Sequence, residues 1–176
     1  MLAAVAIIAL IGVMVAPPAS AQDQKPLSGK MELTNFSVQC GPTPEAGPPF
    51  LTWAGTVIID GTTYGWADFP TAPLIEDGKF ISFEEYWTIF RLDEDEVVDP
   101  GLACDADRVV LAGVNDGWGA PGGAAKADGT VTLAESDGPF DDVAIGSRMF
   151  WRGRVTEFSG AFPFEFEATL HIQATR

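Results

Sequence analysis

An Asp60-Gly61 pair stands between two segments of alternating residue types, and it restricts the possible folds more than any other feature of the sequence. Asp-Gly favours a two-residue type I′ turn, which joins two antiparallel strands in a fixed register. The register gives four facing pairs on one side of the sheet: Ile59 with Thr62, Val57 with Tyr64, Gly55 with Trp66, and Trp53 with Asp68. Residues 53–69 are therefore predicted to form a β-hairpin.

Turn-forming residues recur along the rest of the chain at intervals of roughly 8 to 15 residues, and they separate segments rich in Val, Ile, Thr, Phe and Trp. No long segment shows the 3.6-residue apolar period of a helix, apart from single turns predicted near Leu74 or Pro100. The further predicted strands are Met31–Cys40, Phe80–Leu92, Arg108–Val114, Thr130–Ala134 and a hairpin from Arg148 onward. This pattern predicts an all-β fold, a closed antiparallel barrel of about eight strands, with a β-sandwich as the alternative.

The C-terminal hairpin is predicted from a two-residue turn at Ser159-Gly160. On the apolar face this register pairs Phe158 with Ala161, Val155 with Phe164, Gly153 with Phe166, Trp151 with Ala168, and Met149 with Leu170. On the other face it pairs Arg154 with Glu165, Arg152 with Glu167, and Arg148 with His171. The apolar face, which carries Trp151, is predicted to point inward.

Trp53-Ala54-Gly55-Thr56-Val57 repeats the pattern of Trp151-Arg152-Gly153-Arg154-Val155, so its tryptophan face is also predicted to point inward. That face carries Asp68, and the apolar face of the Phe80–Leu92 strand carries Glu85. A buried carboxylate needs a hydrogen bond, water or a proton. Asp68 therefore either caps a loop at the rim or lies in a pocket. Glu85 either pairs with Arg91 or Arg108, lies at a rim, or joins Asp68. The candidate ligand-binding residues are Trp53, Tyr64, Trp66, Asp68, Glu85, Trp87 and Trp151.

The apolar run Leu2–Ala16, followed by Pro17-Pro18 and Ala19-Ser20-Ala21, is typical of a secretory signal peptide. Residues 1–21 are predicted to be this signal, and residues 22–176 a single β-barrel domain that is secreted, periplasmic or extracellular. Behind such a signal, the two cysteines Cys40 and Cys104 are predicted to form a disulfide. After signal cleavage no membrane association is expected.

The formal net charge of −15 makes nucleic acid an improbable partner. His171 is the only histidine and is predicted on the outer face, which argues against a Ser-His-Asp or Cys-His mechanism and against a multi-histidine metal site.

The acidic run Asp93–Glu96 is interpreted as a solvated loop, with calcium binding as the alternative. Asn115–Gly123, which contains Trp118, is interpreted as a glycine-rich connection or a lid over a barrel mouth. No metal, cofactor or catalytic residue is assigned.

The short Trp-x-Gly strands, the glycine-rich segment and the long closing hairpin resemble small secreted β-barrels, namely calycins and allene oxide cyclase-like or dirigent barrels. The resemblance is architectural and covers residues 31–174. The leading hypothesis is a non-enzymatic barrel that binds a small apolar or amphipathic ligand within its aromatic interior. The alternatives are a cyclase or isomerase that uses Asp68 or Glu85 as acid or base, and a structural or interaction barrel with a filled core.

Overall fold

A computed structural model describes residues 27–37, 52–71, 75–77, 80–120, 123–135, 138–157 and 165–173. The predicted signal segment and Cys40 lie outside the described residues, so the signal and the disulfide remain predictions. The described residues form nine strands: β1 Leu27–Ser37, β2 Thr52–Ile59, β3 Thr62–Pro70, β4 Ile75–Asp77, β5 Phe80–Phe90, β6 Val109–Gly119, β7 Ala124–Ala134, β8 Arg148–Glu157 and β9 Glu165–Gln173.

Eight of these strands form a closed antiparallel barrel, as predicted. Strands β1, β2, β3, β5, β6, β7, β8 and β9 each pair with the next strand in this order, and β9 pairs back onto β1. The short β4 pairs with the beginning of β5. This architecture is compatible with a calycin-like barrel. Within the described part of the chain, no helix is long and apolar enough to cross a membrane.

The β2–β3 hairpin has the predicted register at every position. Asp60 and Gly61 have φ values of 47° and 83°, as a type I′ turn requires at both central positions. The tight turn leaves no freedom for the strands to slip, and this is why the sequence defined the hairpin correctly.

The predicted register of the C-terminal hairpin was wrong by two residues. Gly153 pairs with Ala168, Trp151 with Leu170 and Met149 with Ile172. A two-residue shift keeps every side chain on its predicted face. It changes the charge pairs, because Arg154 now faces Glu167, while Arg152 faces Thr169. Arg148 instead forms an ion pair with Asp128 on β7. The predicted turn at Ser159-Gly160 lies outside the described residues.

The segment Asn115–Gly119 is part of β6 and is not a lid or a loop, which corrects the sequence interpretation. Gly117 is needed beside a large ring of β5. A Cβ on Gly117 would stand 2.3 Å from the ring of Phe83. Trp118 lies on the outer face, 37% exposed, with the Lys126 ammonium 5.2 Å from its ring centroid.

The two ends of the barrel have different connections. At one end, here called the Phe140 end, lie the Asp60-Gly61 turn and the connections between β5 and β6 and between β7 and β8. At the other end, here called the Pro70 end, β1, β3, β6 and β8 finish. The β7–β8 connection contains a 3-10 turn, Gly138–Phe140, and buries Phe140 in the interior core.

The β5–β6 connection covers part of the outer surface of the barrel. Its 3-10 turn at Pro100–Cys104, near one of the two positions predicted for a helical turn, is capped by Asp99, whose side chain accepts a hydrogen bond from the Gly101 amide. The connection packs on an outer apolar cluster formed by Ala54, Ala67, Phe69, Phe90, Val98, Ala103, Val109 and Ala112. Strands β3 and β5 are therefore buried on both faces.

Within the same connection, Arg108 holds the acidic run in place. Its guanidinium lies 2.6 Å from Glu96 and 3.0 Å from Asp93, and it also approaches Asp105 at 3.6 Å. These ion pairs agree with the interpretation of a solvated acidic loop. Arg91 pairs with Glu135 at 3.1 Å. Both arginines are therefore bound at the surface, and the predicted pairing of Glu85 with either of them was wrong.

Candidate functional site

Two stacked pairs of aromatic rings fill the middle of the barrel. The Trp66 and Trp87 rings are parallel, with centroids 5.2 Å apart and planes at 4°. Gly55 faces Trp66 across the β2–β3 pair, and Gly113 faces Trp87 across the β5–β6 pair. The absence of a side chain at Gly113 gives the Trp87 indole room, whereas at Gly55 it allows the close approach of the β1 backbone at Glu32 and Leu33. Both tryptophans are completely buried.

The second pair joins Phe83 on β5 to Trp151 on β8, with centroids 6.0 Å apart and planes at 11°. Residues Gly117 and Ala127 occupy the same row of the sheet between them, and their small size allows the two rings to meet. The interior is thus built from large rings that alternate with small residues around the barrel.

Two carboxyl groups lie among these rings. Asp68 faces Trp53 on one neighbouring strand and Trp87 on the other, so it projects into the interior. Glu85 lies on the same face of β5, two residues before Trp87. Asp68 is only 2% exposed to solvent and Glu85 only 3%. Neither carboxyl group therefore lies at a solvated rim; both are enclosed in the barrel interior.

Burial shifts both carboxyl groups toward the neutral form. Desolvation raises the pKa of Asp68 to about 7, while the nearby indole N–H of Trp66 acts in the opposite direction without reaching regular hydrogen-bond geometry. Desolvation also raises the pKa of Glu85 well above its ordinary value, and the negative charge of Asp68 raises it further. Asn115 and Trp151 partly offset the shift at Glu85.

Asn115 completes a group of three polar residues, here called the polar triad: Asp68, Glu85 and Asn115. Asn115 faces Glu85 directly on β6 and is 4% exposed. One oxygen of each carboxyl group and both polar atoms of the Asn115 amide are buried without a regular hydrogen bond. Buried polar atoms normally have partners, so this cluster retains unused hydrogen-bonding capacity. Asn115 was not predicted as a site residue, because the glycines that follow it indicated a loop.

No cation balances the polar triad among the described residues. Every lysine, arginine and histidine that the structure describes lies at the surface or in a connection, and none of them influences the pKa of Asp68 or Glu85. The single histidine, His171, stacks on Phe150 on the outer face, as predicted. The groups that influence the pKa of the two acids are Trp66, Trp151, Asn115 and the acids themselves.

Access to the polar triad differs between the two ends. At the Phe140 end, the buried Phe140 ring packs edge-on against Tyr64, with centroids 5.2 Å apart. Toward the Pro70 end, Trp53 and Phe83 pack on the interior core but are only half-buried. Asp68 lies two residues before the end of β3 on that side. Phe83, two residues before Glu85 in β5, thus lies between Glu85 and the Pro70 end, and Trp53 lies beside Asp68.

The structure brings together most of the predicted site residues. Trp53, Trp66, Trp87 and Trp151 all belong to the interior core or pack against it, together with both acids. Tyr64 also faces the interior, but four residues along β3 place it about 13 Å from Asp68. It contributes to closing the Phe140 end and is not a neighbour of the acids.

The chemistry available to this site is hydrogen bonding, proton transfer and contact with aromatic surface. Among the residues that the structure describes, no group of three His, Cys, Asp or Glu side chains is placed to hold a metal ion. No family model, curated protein or solved structure matches the chain.

Proposed function

We propose that this protein is a non-enzymatic β-barrel that binds a small apolar or amphipathic molecule, with the polar group of the ligand at the polar triad. The observation that carries the proposal is the unused hydrogen-bonding capacity of Asp68, Glu85 and Asn115 inside an aromatic interior. Small-molecule sites characteristically combine apolar walls with a few polar groups that fix the orientation of the ligand.

The binding mode follows from the asymmetry of the barrel. The apolar part of the ligand would contact Trp53, Phe83 and Trp151, and it would enter from the Pro70 end because Phe140 occupies the other end. Burial of apolar ligand surface stabilises the complex by about 25 cal/mol per Å² before the entropic cost of binding is subtracted. The half-buried rings at the Pro70 end would move to admit the ligand.

Secretion fits this function and is part of the same proposal. Residues 1–21 would direct the chain to the periplasm or the extracellular space, and a Cys40–Cys104 disulfide would fasten the β5–β6 connection. Calycins, which the architecture resembles, are barrels of this general kind. The acidic surface, with a net charge of −15, would keep the protein soluble.

A screen of the purified protein against a broad library of lipophilic molecules tests the proposal. Binding is expected to change the tryptophan fluorescence and to raise the melting temperature, since a ligand that binds only the folded state stabilises it. Asp68→Asn is expected to alter the affinity for the hits. Glu84→Gln, an exposed residue beside Glu85, is the matched control and should leave the affinity unchanged. A library without hits would favour the alternative of a filled structural barrel.

A second candidate function is a cyclase or isomerase that uses Asp68 or Glu85 as acid or base. The observation in its favour is the pKa of about 7 for Asp68, because a general acid or base works best when its pKa is near the working pH. If a ligand found in the screen is converted to an isomer, the rate should fall by at least about 100-fold in Asp68→Asn or Glu85→Gln. A turnover that survives replacement of both acids would exclude this function.

A further inference from the structure

The carboxyl groups in the barrel interior have no basic side chain beside them among the described residues. Two carboxyl groups face the same space, and no lysine, arginine or histidine of the described residues faces it with them. Carboxylates that are removed from water are normally paired with a cation or hydrogen-bonded. A ligand that carries a positive charge would therefore supply the component that this site lacks.

The geometry of the polar triad matches one class of cation. Glu85 and Asn115 face each other directly across β5 and β6, and Asp68 is diagonal to Glu85 across β3 and β5. In such a sheet, facing Cβ atoms lie about 5 Å apart and diagonal ones about 7 Å apart. These adjacent strands thus bring together three buried oxygens that have no regular hydrogen bond: Asp68 Oδ1, Glu85 Oε1 and Asn115 Oδ1.

A primary ammonium group has three N–H donors and no acceptor, so it can satisfy all three of these oxygens at once. A quaternary ammonium has no N–H to donate. Calcium and magnesium require about six oxygen ligands, twice the number of oxygens in the polar triad that are without a regular hydrogen bond. The indole rings around the triad also favour a cation, because the faces of aromatic rings attract positive charge.

We propose that the ligand of this barrel is a primary amine with an apolar, preferably aromatic, body, bound as its ammonium ion with the nitrogen among Asp68, Glu85 and Asn115. This inference deepens the ligand-binding function proposed above and depends on it. The body of the amine extends toward Trp53 and Phe83 at the Pro70 end, and it stacks with the rings there.

Amine binding is coupled to proton release. The titratable and charged groups on the surrounding strands are few: Asp68 and Tyr64 on β3 and Glu85 on β5 face the interior, while Glu84, Tyr86 and Asp116 point outward. Because the pKa of Asp68 is about 7 in the free protein, this group is mostly protonated at pH 6 and mostly ionised at pH 8. An ammonium ion favours the carboxylate. Binding at pH 6 should therefore release protons, and affinity should rise from pH 6 to pH 8.

Three probes with a similar body and different charge test the inference: phenethylamine, 2-phenylethanol and 3-phenylpropionate. Isothermal titration calorimetry of the full chain at pH 8 is expected to show the amine binding at least about tenfold more tightly than the alcohol, with the carboxylate weakest. At pH 6, titrations in buffers of different ionisation enthalpy are expected to show proton release on amine binding.

Variants identify the groups responsible. Asp68→Asn and Glu85→Gln retain the side-chain shape and should each lose most of the preference for the amine. Glu84→Gln, on the outer face of the same strand, should retain it. If the variants do not fold, the probe ranking and the proton release of the unmodified protein decide the question.

Two results would overturn the inference, and they are distinguishable from failure of the general function. Equal or tighter binding of 2-phenylethanol would show a ligand site that does not select a cation, so the amine proposal would fall and the ligand-binding function would stand. If none of the three probes binds at millimolar concentration, the amine proposal also falls. The wider lipophilic library then decides whether the barrel binds any ligand.

Discussion

Gly113 lies directly opposite Trp87 on the interior face of the barrel, so close that a Cβ on the glycine would stand 2.4 Å from the indole Cζ2. The same Cβ would stand 2.2 Å from the carbonyl oxygen of Thr130. The first contact involves a buried ring and the second involves backbone, so neither neighbour can move at low cost. The site of the stacked tryptophans thus depends on a glycine in β6.

Gly113→Ala is expected to lower the free energy of unfolding by about 3 kcal/mol, at the upper end of the usual cost of overpacking a core. The matched control is Gly119→Ala in the same strand, because its Cβ would meet only Ala125, at 3.4 Å. Urea unfolding followed by tryptophan fluorescence measures both variants. Equal stability of the two variants would show that β6 does not approach Trp87 as closely as described.

The dependence of stability on pH is expected to reflect the buried acid Asp68. Its pKa is about 7 when folded, against an ordinary value of 3.8, so the folded state binds more protons than the unfolded state between these two pH values. The contribution of Asp68 is therefore fully present below about pH 4 and is lost as the pH rises toward about 7 and above. The loss is on the order of 4 kcal/mol, at about 1.4 kcal/mol per pKa unit.

Asp68→Asn isolates this effect, since asparagine resembles the protonated acid and does not ionise. Compared with the unmodified protein, the variant should have a higher melting temperature at pH 8, and the difference should shrink toward pH 4. Glu84→Gln serves as the exposed control, and no such trend is expected from it. A difference between Asp68→Asn and the unmodified protein that is independent of pH would contradict the buried position of the carboxyl group.

Phe140 is expected to be essential for closing its end of the barrel. Phe140→Ala removes a completely enclosed ring that packs on Tyr64, and such truncations typically cost about 3 to 5 kcal/mol. In the same connection, Ile145 is 70% exposed, so Ile145→Ala should change stability by less than about 0.5 kcal/mol. Thermal unfolding of the two variants provides the comparison. A small effect of Phe140→Ala would mean that the ring does not close the barrel.

The ion pairs of Arg108 are expected to hold the β5–β6 connection against the outer cluster. Arg108→Gln should lower the melting temperature at low ionic strength, and the loss should diminish in 1 M salt because exposed ion pairs are screened. Arg152, exposed on β8, has no ion pair among those that the structure describes, and Arg152→Gln is the control. An effect of Arg108→Gln that does not respond to salt would indicate lost packing instead of lost charge.

The sequence predicted the barrel and the β2–β3 hairpin because alternation and a type I′ turn act locally. The predicted register of the C-terminal hairpin was wrong by two residues. A two-residue shift keeps every side chain on the same face, and exposed charge pairs are too weak to distinguish the two registers. Asn115, Gly117 and Gly119 suggested a loop, because strand propensity disfavours Asn and Gly and takes no account of the space that the Phe83 ring requires beside Gly117. The sequence could not decide whether Asp68 and Glu85 lie at a rim or in the interior, because their burial depends on which distant strands surround them.

The five tryptophans allow the central claim to be tested in one measurement. Four of them, Trp53, Trp66, Trp87 and Trp151, face the interior, whereas Trp118 lies on the outer surface as an internal control. A ¹H–¹⁵N spectrum of the indole groups, recorded while phenethylamine or the best hit of the library is added, should show shifts for Trp53 and Trp151 and no shift for Trp118. Shifts confined to Trp118 under saturating ligand would contradict a ligand site inside the barrel.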